Sequence, residues 1–581
     1  MLDDIRIQTR KKMDVFGFLV LLFLQVAMML YFCVNKQEYH IDEIYSYILS
    51  NSYHCDCLSN AKQLKDRWIN GKASFNEFVA VQPKERFAYE KTYDNNTNDA
   101  HPPFYYYILH TVCSFFPDRF SKWFGLSINI LMFVLTQLLL FLISRKLFNG
   151  LIWQLLPMAL YGFSPIAVDI VLFIRMYSLL ALFTVLMFYV HLKMLEGELK
   201  IPYVWCFVIT FLGVFTQYFF AISAFYLALI CCVVFWKNKK FRDLLYYSVS
   251  MMSGVLLVFL VYPAAFRQTT GSNTNNVGNE VSSNIMNFAA LPDRLSLYRQ
   301  QFSQRMFRNW KWHAFYIVVL CIVILLSVTL RNKKGKKEKP ITPNAGSTLR
   351  EYTFAWLKNR LVQLFQTNVS VDSIKGAFMR KKTMYVFITG MIMLLNVLTV
   401  AHISGKFAYL RYLYNIMPIL FFWFIAIFYF LSSLLNVNKR VLSAGLMVFA
   451  LVIGANTVVK KNCEYLFEGR CYVVNNTMGF LDDKPLVLID KNKNHMLTGN
   501  LTLLASVDQM YISDTDEINI DELTQDMDVS DGVAFLVLDN TEWSEGYFGD
   551  ETMQKIVDAS DKFSTYEKYG DELYSTMYWV Y

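Results

Sequence analysis

The sequence contains no cysteine and histidine grouping at metal-ligand spacing, no Walker or Rossmann glycine pattern and no nucleophile elbow. A zinc-type structural metal and a nucleotide site therefore have no motif to rest on. Internal repeats are missing too, and they are what a secondary transporter built from paired halves is expected to show. The apolar run 15–34 follows basic residues, as in a signal peptide, but no small-residue cleavage site follows it; at twenty residues it reads as a retained first span. Of the ten cysteines, Cys33, Cys113, Cys206, Cys231, Cys232 and Cys321 lie in or beside apolar runs, where they act as small hydrophobes. Cys463 and Cys471 flank a short loop, and spacing alone leaves open whether they bridge.

What the chain has in excess is apolar surface. Of its 581 residues 55% are hydrophobic and 17% aromatic, against roughly 45–50% apolar in soluble domains. Runs long enough to cross a ~30 Å hydrocarbon layer account for the surplus. Eleven are expected: 15–34, 122–144, 151–168, 172–192, 202–218, 220–236, 244–263, 313–330, 383–402, 413–435 and 441–459. Arg6, Arg10, Lys11 and Lys12 precede the first and place the N-terminus in the cytoplasm. Arg145 with Lys146, Lys193 with Lys200, Lys237 to Lys240, the run 331–339 and Lys439 with Arg440 then all fall on the inner side. This reading leaves two long outer loops, 35–121 and 264–312, and puts the C-terminal tail outside the cell membrane.

Charge divides the chain in the same place. From Lys461 to Tyr581 there are 24 acidic and 8 basic residues, while the remainder carries 47 basic and 23 acidic. An acidic tail on a basic membrane body reads as a second, water-exposed region. The tail alternates strand-like runs (485–490, 533–539) with helix-like ones (496–505, 552–559), and 563–569 and 573–580 could close a sheet. The expected fold is mainly α: a polytopic transmembrane helical bundle, 1–460, with a large first extracytoplasmic loop and a small C-terminal extracytoplasmic α/β domain, 461–581. Nucleic acid is excluded as a partner because the basic residues sit in loops between spans. The arginine-rich piece from Arg294 to Arg308, followed by Trp310 and Trp312, reads as an interfacial helix with snorkelling arginines, and the basic inner loop 331–382 as a segment lying on anionic headgroups of membrane lipids.

Four short elements share the outer side. His40-Ile41-Asp42-Glu43 follows the first span; two adjacent carboxylates there either begin a helix at its positive end or carry chemistry. Asp99-Ala100-His101-Pro102-Pro103-Phe104-Tyr105-Tyr106 sets a histidine at the mouth of a helix that the prolines allow to start. Arg175-Met176-Tyr177 opens a span near its outer end, and Lys406-Phe407-Ala408-Tyr409-Leu410-Arg411-Tyr412 joins two spans on the same side. A guanidinium at the hydrocarbon edge needs an anion or a route to water, and its planar fork suits a phosphate.

In this order the motifs resemble those of the C-type (GT-C) glycosyltransferases, in particular bacterial members of the protein O-mannosyltransferase and lipid A aminoarabinose transferase group. The resemblance covers about 1–460 and leaves the tail outside. It implies a membrane-embedded, inverting glycosyltransferase that takes sugar from a polyprenyl-phosphate donor and delivers it to an extracytoplasmic acceptor. Asp42 matches the family's acidic position, proposed as general base, with Glu43 its neighbour in the catalytic motif. His101 and Tyr105 fall in the polar Pro-Pro motif, while Arg411 and Tyr412 match a late motif associated with the donor phosphate; Arg175, Tyr177 and Lys406 are added as substrate contacts. Thr216-Gln217-Tyr218-Phe219 stands where many relatives read Thr-His-Tyr-Phe, so no role needing imidazole carries over there. Relatives differ in whether a divalent cation takes part, so the resemblance commits to no cofactor and no metal ligand. A flippase of lipid-linked glycans and a non-catalytic membrane assembly protein are the rival classes.

Overall fold

A computed structural model describes residues 2–53, 64–270, 284, 287–329, 381–404, 408–434, 437–467, 484–491, 496–515, 518–525, 529–538, 548–571 and 573–581. By internal contacts the chain divides into two units: one holds Met1–Leu30, Ile130–Ile170 and Tyr177–Cys463, the other Tyr31–Asn129, Val171–Met176 and Glu464–Tyr581. The expected inner-loop segment is described only from Lys381 on, Lys406 and Cys471 lie outside the described residues, and Cys463 forms no disulfide among the described residues.

The described residues hold nine helices long and apolar enough to span a membrane: Lys12–Asn35, Lys122–Leu147, Tyr177–Leu195, Phe220–Lys237, Phe241–Val261, Trp310–Thr329, Met384–Ile403, Leu410–Leu434 and Lys439–Lys460. Eleven were expected; the count is ten if the bent pair described next crosses as one broken span, and both departures have a local cause. The run expected at 151–168 is broken into Leu151–Gly162 and Pro165–Leu172, bent by 57°. Pro165 forces the preceding residue out of helical geometry, and Ser164 Oγ accepts from Ala167 N at 3.2 Å, restarting the helix in a new direction. The run expected at 202–218 forms the shorter helix Pro202–Thr216, which begins at a proline and stops where Gln217 turns extended at φ −163°.

In the first unit the arginine-rich piece is a helix, Leu291–Phe307, and two of its arginines find protein partners rather than snorkelling. Arg294 is buried and donates to the carbonyl of His402 and to Asn284 Oδ1. Arg305 Nε lies 3.3 Å from the fully buried carboxylate of Asp169, on the Pro165–Leu172 half of the bent pair. Gln301 Nε2 donates to Ala408 O at 2.7 Å and its Oε1 accepts from Leu410 N at 2.6 Å, which reproduces both halves of a backbone ladder.

The second unit joins the long segment 35–121 to the acidic tail. Its longer helices outside the membrane spans are α1 (Ile41–Asn51), α2 (Gly71–Val79), α3 (Tyr89–Thr97), α4 (Phe104–Ser114) and α5 (Gly549–Asp558). Its strands are β1 (Trp68–Ile69), β2 (Leu486–Ile489), β3 (Met510–Ser513), β4 (Val533–Val537), β5 (Tyr566–Asp571) and β6 (Thr576–Val580). They form one sheet in the order β1-β3-β2-β4-β6-β5, parallel for β3-β2-β4 and antiparallel at both edges. β2 and β4 are apolar at every position and wholly buried, as parallel strands covered on both faces must be. Val487, Ile489, Phe535 and Val537 pack with Met553 and Ile556 of α5 and with Tyr578 and Val580.

The tail thus contains the strands its alternation promised, but it does not complete the sheet by itself. Trp68 pairs with Tyr511 and Ile69 with Met510, and Trp68 Nε1 donates to Leu523 O at 3.2 Å. Directly after this strand Lys72 N donates to Val507 O at 3.0 Å. Gly71 permits that approach, because a Cβ there would stand 2.4 Å from Leu504 O. The tail's acidity meets the loop's bases at Lys65 with Asp514, 2.7 Å, and Lys72 with Asp508, 3.0 Å.

Candidate functional site

The Asp42 motif forms the start of α1. His40 is the N-cap: its Nδ1 accepts from Asp42 N at 3.1 Å, while the Glu43 carboxylate accepts from His40 N at 2.7 Å. This is a capping box in which an imidazole takes the usual serine's place. The helix-start reading of the two acids is therefore what the structure shows, and it leaves them in opposite environments.

Glu43 is fully buried. Besides His40 N it accepts from Lys36 Nζ at 3.0 Å and from Ile174 N at 2.8 Å. Lys36, equally buried, also donates to Tyr465 O at 2.7 Å. Burial pushes the Glu43 carboxyl up, against the opposing pull of Lys36 and the two amides. With its oxygens taken up by these donors, Glu43 has no open face. Asp42, next to it, keeps 23% of its side chain exposed.

Arg175 organises the open side. Its Nη1 donates to Asp42 O at 3.1 Å and to Tyr106 Oη at 3.3 Å, and its Nη2 lies 3.8 Å from Asp42 Oδ1. His40 Nδ1 is 3.6 Å from the other carboxylate oxygen. The guanidinium sits at a tight backbone turn, Arg175 N donating to Phe173 O at 2.7 Å. Two further bonds hold that turn: Asn129 Nδ2 donates to Val171 O at 3.0 Å and to Phe173 O at 2.8 Å. The Ile174 side chain fills the space above Gly125, where a Cβ would come within 2.1 Å of Ile174 Cγ2.

His101 does not cap α4, whose N-cap is Pro103. It pairs with Asp99 instead, Nδ1 to Oδ2 at 2.7 Å, both partly exposed. Burial works to raise the Asp99 carboxyl, but His101 and then Arg175 outweigh it and hold the group below the usual carboxylate range. Tyr106 has its phenol raised by burial, against the field of Arg175. Tyr105 is wholly buried, and its hydroxyl has no hydrogen-bond partner among the described residues.

Asp42, Glu43, His101, Tyr105 and Arg175 thus belong to one unit. Tyr177, Arg411 and Tyr412 belong to the other. Tyr177 is buried edge-on to Tyr414, ring centroids 5.9 Å apart. The Arg411 guanidinium lies over the Tyr409 ring at 4.4 Å and near Tyr412 at 5.8 Å, and Tyr412 packs on Phe219 at 5.2 Å. Gln217 ends its helix in extended geometry, while Tyr218 donates to Gln268 Oε1 at 2.6 Å.

Sequence reading passed over Lys36, Asp99 and Tyr106 as functional groups. Asp99 and Tyr106 carried a signal, standing inside the His101 motif; Lys36, at the end of an apolar run, carried none, and only its burial marks it. Among the described residues no cluster of three or more His, Cys, Asp or Glu could hold a metal ion.

No protein-family model matches the chain, and no curated protein matches it. Among solved structures the chain is similar, with 9% identity and a TM-score of 0.43 over 98% of each chain, to a crystal structure of ArnT from Cupriavidus metallidurans bound to undecaprenyl phosphate.

Proposed function

We propose that this chain is an inverting membrane glycosyltransferase that moves a sugar from a polyprenyl-phosphate donor to an acceptor hydroxyl on the outer side of a cell membrane. The observation that carries the reading is the Asp42 corner: an open carboxylate held by a buried arginine beside a histidine–aspartate pair, in the motif order that resembles the GT-C transferases. Asp42 takes the proton as the acceptor oxygen bonds to the anomeric carbon and the bond from that carbon to the phosphate oxygen breaks. The polyprenyl phosphate leaves with the electron pair. General-base help of this kind is worth about 10²–10⁴-fold.

Glu43 is assigned a supporting role in this scheme, since it offers no face to a substrate. Its two amide bonds go to His40, two residues before Asp42, and to Ile174, the residue before Arg175, so it fixes base and guanidinium together. The donor-phosphate role of Arg411 and Tyr412 rests on the motif resemblance. A cytoplasmic N-terminus and an external tail follow from the distribution of basic loops.

The test uses native membranes containing the full chain and a panel of synthetic polyprenyl-phosphate sugars, with release of polyprenyl phosphate as the readout. Asp42→Asn is expected to lower turnover by about 10²-fold or more at normal protein level, and Arg411→Ala to raise the donor KM. Near-normal turnover by Asp42→Asn would remove the general-base assignment.

One observation favours a transporter: the bent helix pair carries a buried carboxylate, Asp169. Transporters build such breaks in corresponding places of two halves, and the described residues contain one bent pair. Substrate flux without consumption of the lipid donor would decide for that reading.

A further inference from the structure

The C-terminal tail reaches the Asp42 corner directly. Ile41 N donates to Tyr574 Oη at 2.7 Å, a bond between residues 533 apart in sequence. Three further bonds run between the same two stretches of chain: Lys36 Nζ to Tyr465 O at 2.7 Å, Gln37 N to Leu466 O at 3.2 Å and Leu573 N to Glu38 Oε1 at 3.4 Å.

The place of the Tyr574 bond gives it meaning. A helix start leaves its first amides without intrahelical acceptors. In α1 the Asp42 amide is taken by the His40 imidazole, and the Glu43 and Ile44 amides by His40 O. The Ile41 amide is the remaining one of the first turn, and Tyr574 supplies its acceptor. The bonds to Ile41 N from the tail and to Asp42 O from Arg175 bracket Asp42 on both backbone sides.

Tyr574 is itself held in the fold. It is buried, and the next residue, Ser575, donates from Oγ to Asn500 Oδ1 at 2.9 Å before the chain enters β6. β6 runs antiparallel to the buried central strand β4. Phenol position is thereby tied to the core of the sheet.

Resting on the reading of Asp42 as the reaction's base, we propose that Tyr574 is a positioning residue for Asp42, so that the acidic tail is part of the reaction corner and not an accessory module. The tail acts through backbone geometry: it fixes where α1 begins and hence where the Asp42 carboxylate points.

The experiment compares Tyr574→Phe with wild type and Asp42→Asn, in full-length protein in membranes supplied with the polyprenyl-phosphate sugar panel. Phenylalanine keeps the ring and removes only the acceptor oxygen. Turnover is expected to fall roughly ten- to hundredfold, the scale on which a misplacement of about 1 Å acts, with the donor KM unchanged. Amide hydrogen exchange in the segment 38–46 is expected to quicken in the same variant, a readout independent of activity. Should Tyr574→Phe fail to accumulate, Ser575→Ala loosens the seat while keeping the phenol, and a smaller change in the same direction is expected. Wild-type turnover and unchanged exchange in these variants, beside an inactive Asp42→Asn, overturn the positioning role and leave the function reading standing. An active Asp42→Asn overturns the function reading itself.

Discussion

At the scale of single residues, two adjacent carboxylates divide into one that is fully buried and one that keeps 23% of its side chain exposed. Glu43 and Lys36 are both fully buried at 3.0 Å. Breaking such a pair from one side strands a charge, which costs about 3–5 kcal/mol. Glu43→Gln is therefore expected to lower the thermal midpoint of the detergent-solubilised protein sharply. The double variant Lys36→Met/Glu43→Gln should recover part of that loss, because no lone charge remains while the amide oxygen still accepts from a backbone N–H. A midpoint unmoved by Glu43→Gln would show that the pair contributes nothing. Which of the two acids would be spent was not legible in the sequence, since adjacent residues on a helix point about 100° apart and only the neighbours decide which side is closed.

Among the elements, the short segment between the bent pair and the helix at Tyr177 shows how a close approach sets a side chain. Ile174 lies against Gly125, with 2.1 Å available where a Cβ would go, and a β-branched side chain has little freedom to move aside. Gly125→Ala is expected to push Ile174, and with it the amide bonded to Glu43 and the neighbouring Arg175. A destabilisation of about 1–3 kcal/mol is the usual scale for overpacking of this kind, checked by thermal unfolding, together with reduced turnover in the membrane assay. Unchanged stability and turnover would mean the segment adapts freely. The break that creates this segment was half visible in advance: Pro165 announces a boundary, but the apolar run passes through it without interruption. The same limit explains the missed edge strand β1, two residues long and identifiable only by its partner, Tyr511 with Met510.

For the molecule as a whole, the segment 35–121 and the tail share one sheet and one core. Removing 464–581 would strip β1 of its partner strand, leave Lys65 and Lys72 without Asp514 and Asp508, and delete the Tyr465 and Tyr574 contacts. A chain ending at Cys463 is expected to insert in the membrane yet expose its first outer loop to protease, with new cuts within 35–121 on limited digestion. A digestion pattern in that loop identical to the full chain's would show that the loop folds without the tail.

Nine spanning helices, the start of α1 and the buried strands β2 and β4 were determined by the sequence, because each depends on an apolar run or a capping residue that can be read within twenty residues; the bend at Pro165 and strands β1 and β3 were not. The tertiary structure alone decided that Lys36 neutralises Glu43, that His101 answers to Asp99, that Arg305 and Arg294 bind Asp169 and a carbonyl, and that a tyrosine near the end of the chain holds the amide beside Asp42. Each of those choices is made between groups far apart in sequence or facing different neighbours, and the energy that selects them, desolvation against pairing, exists only once the surrounding residues have excluded water.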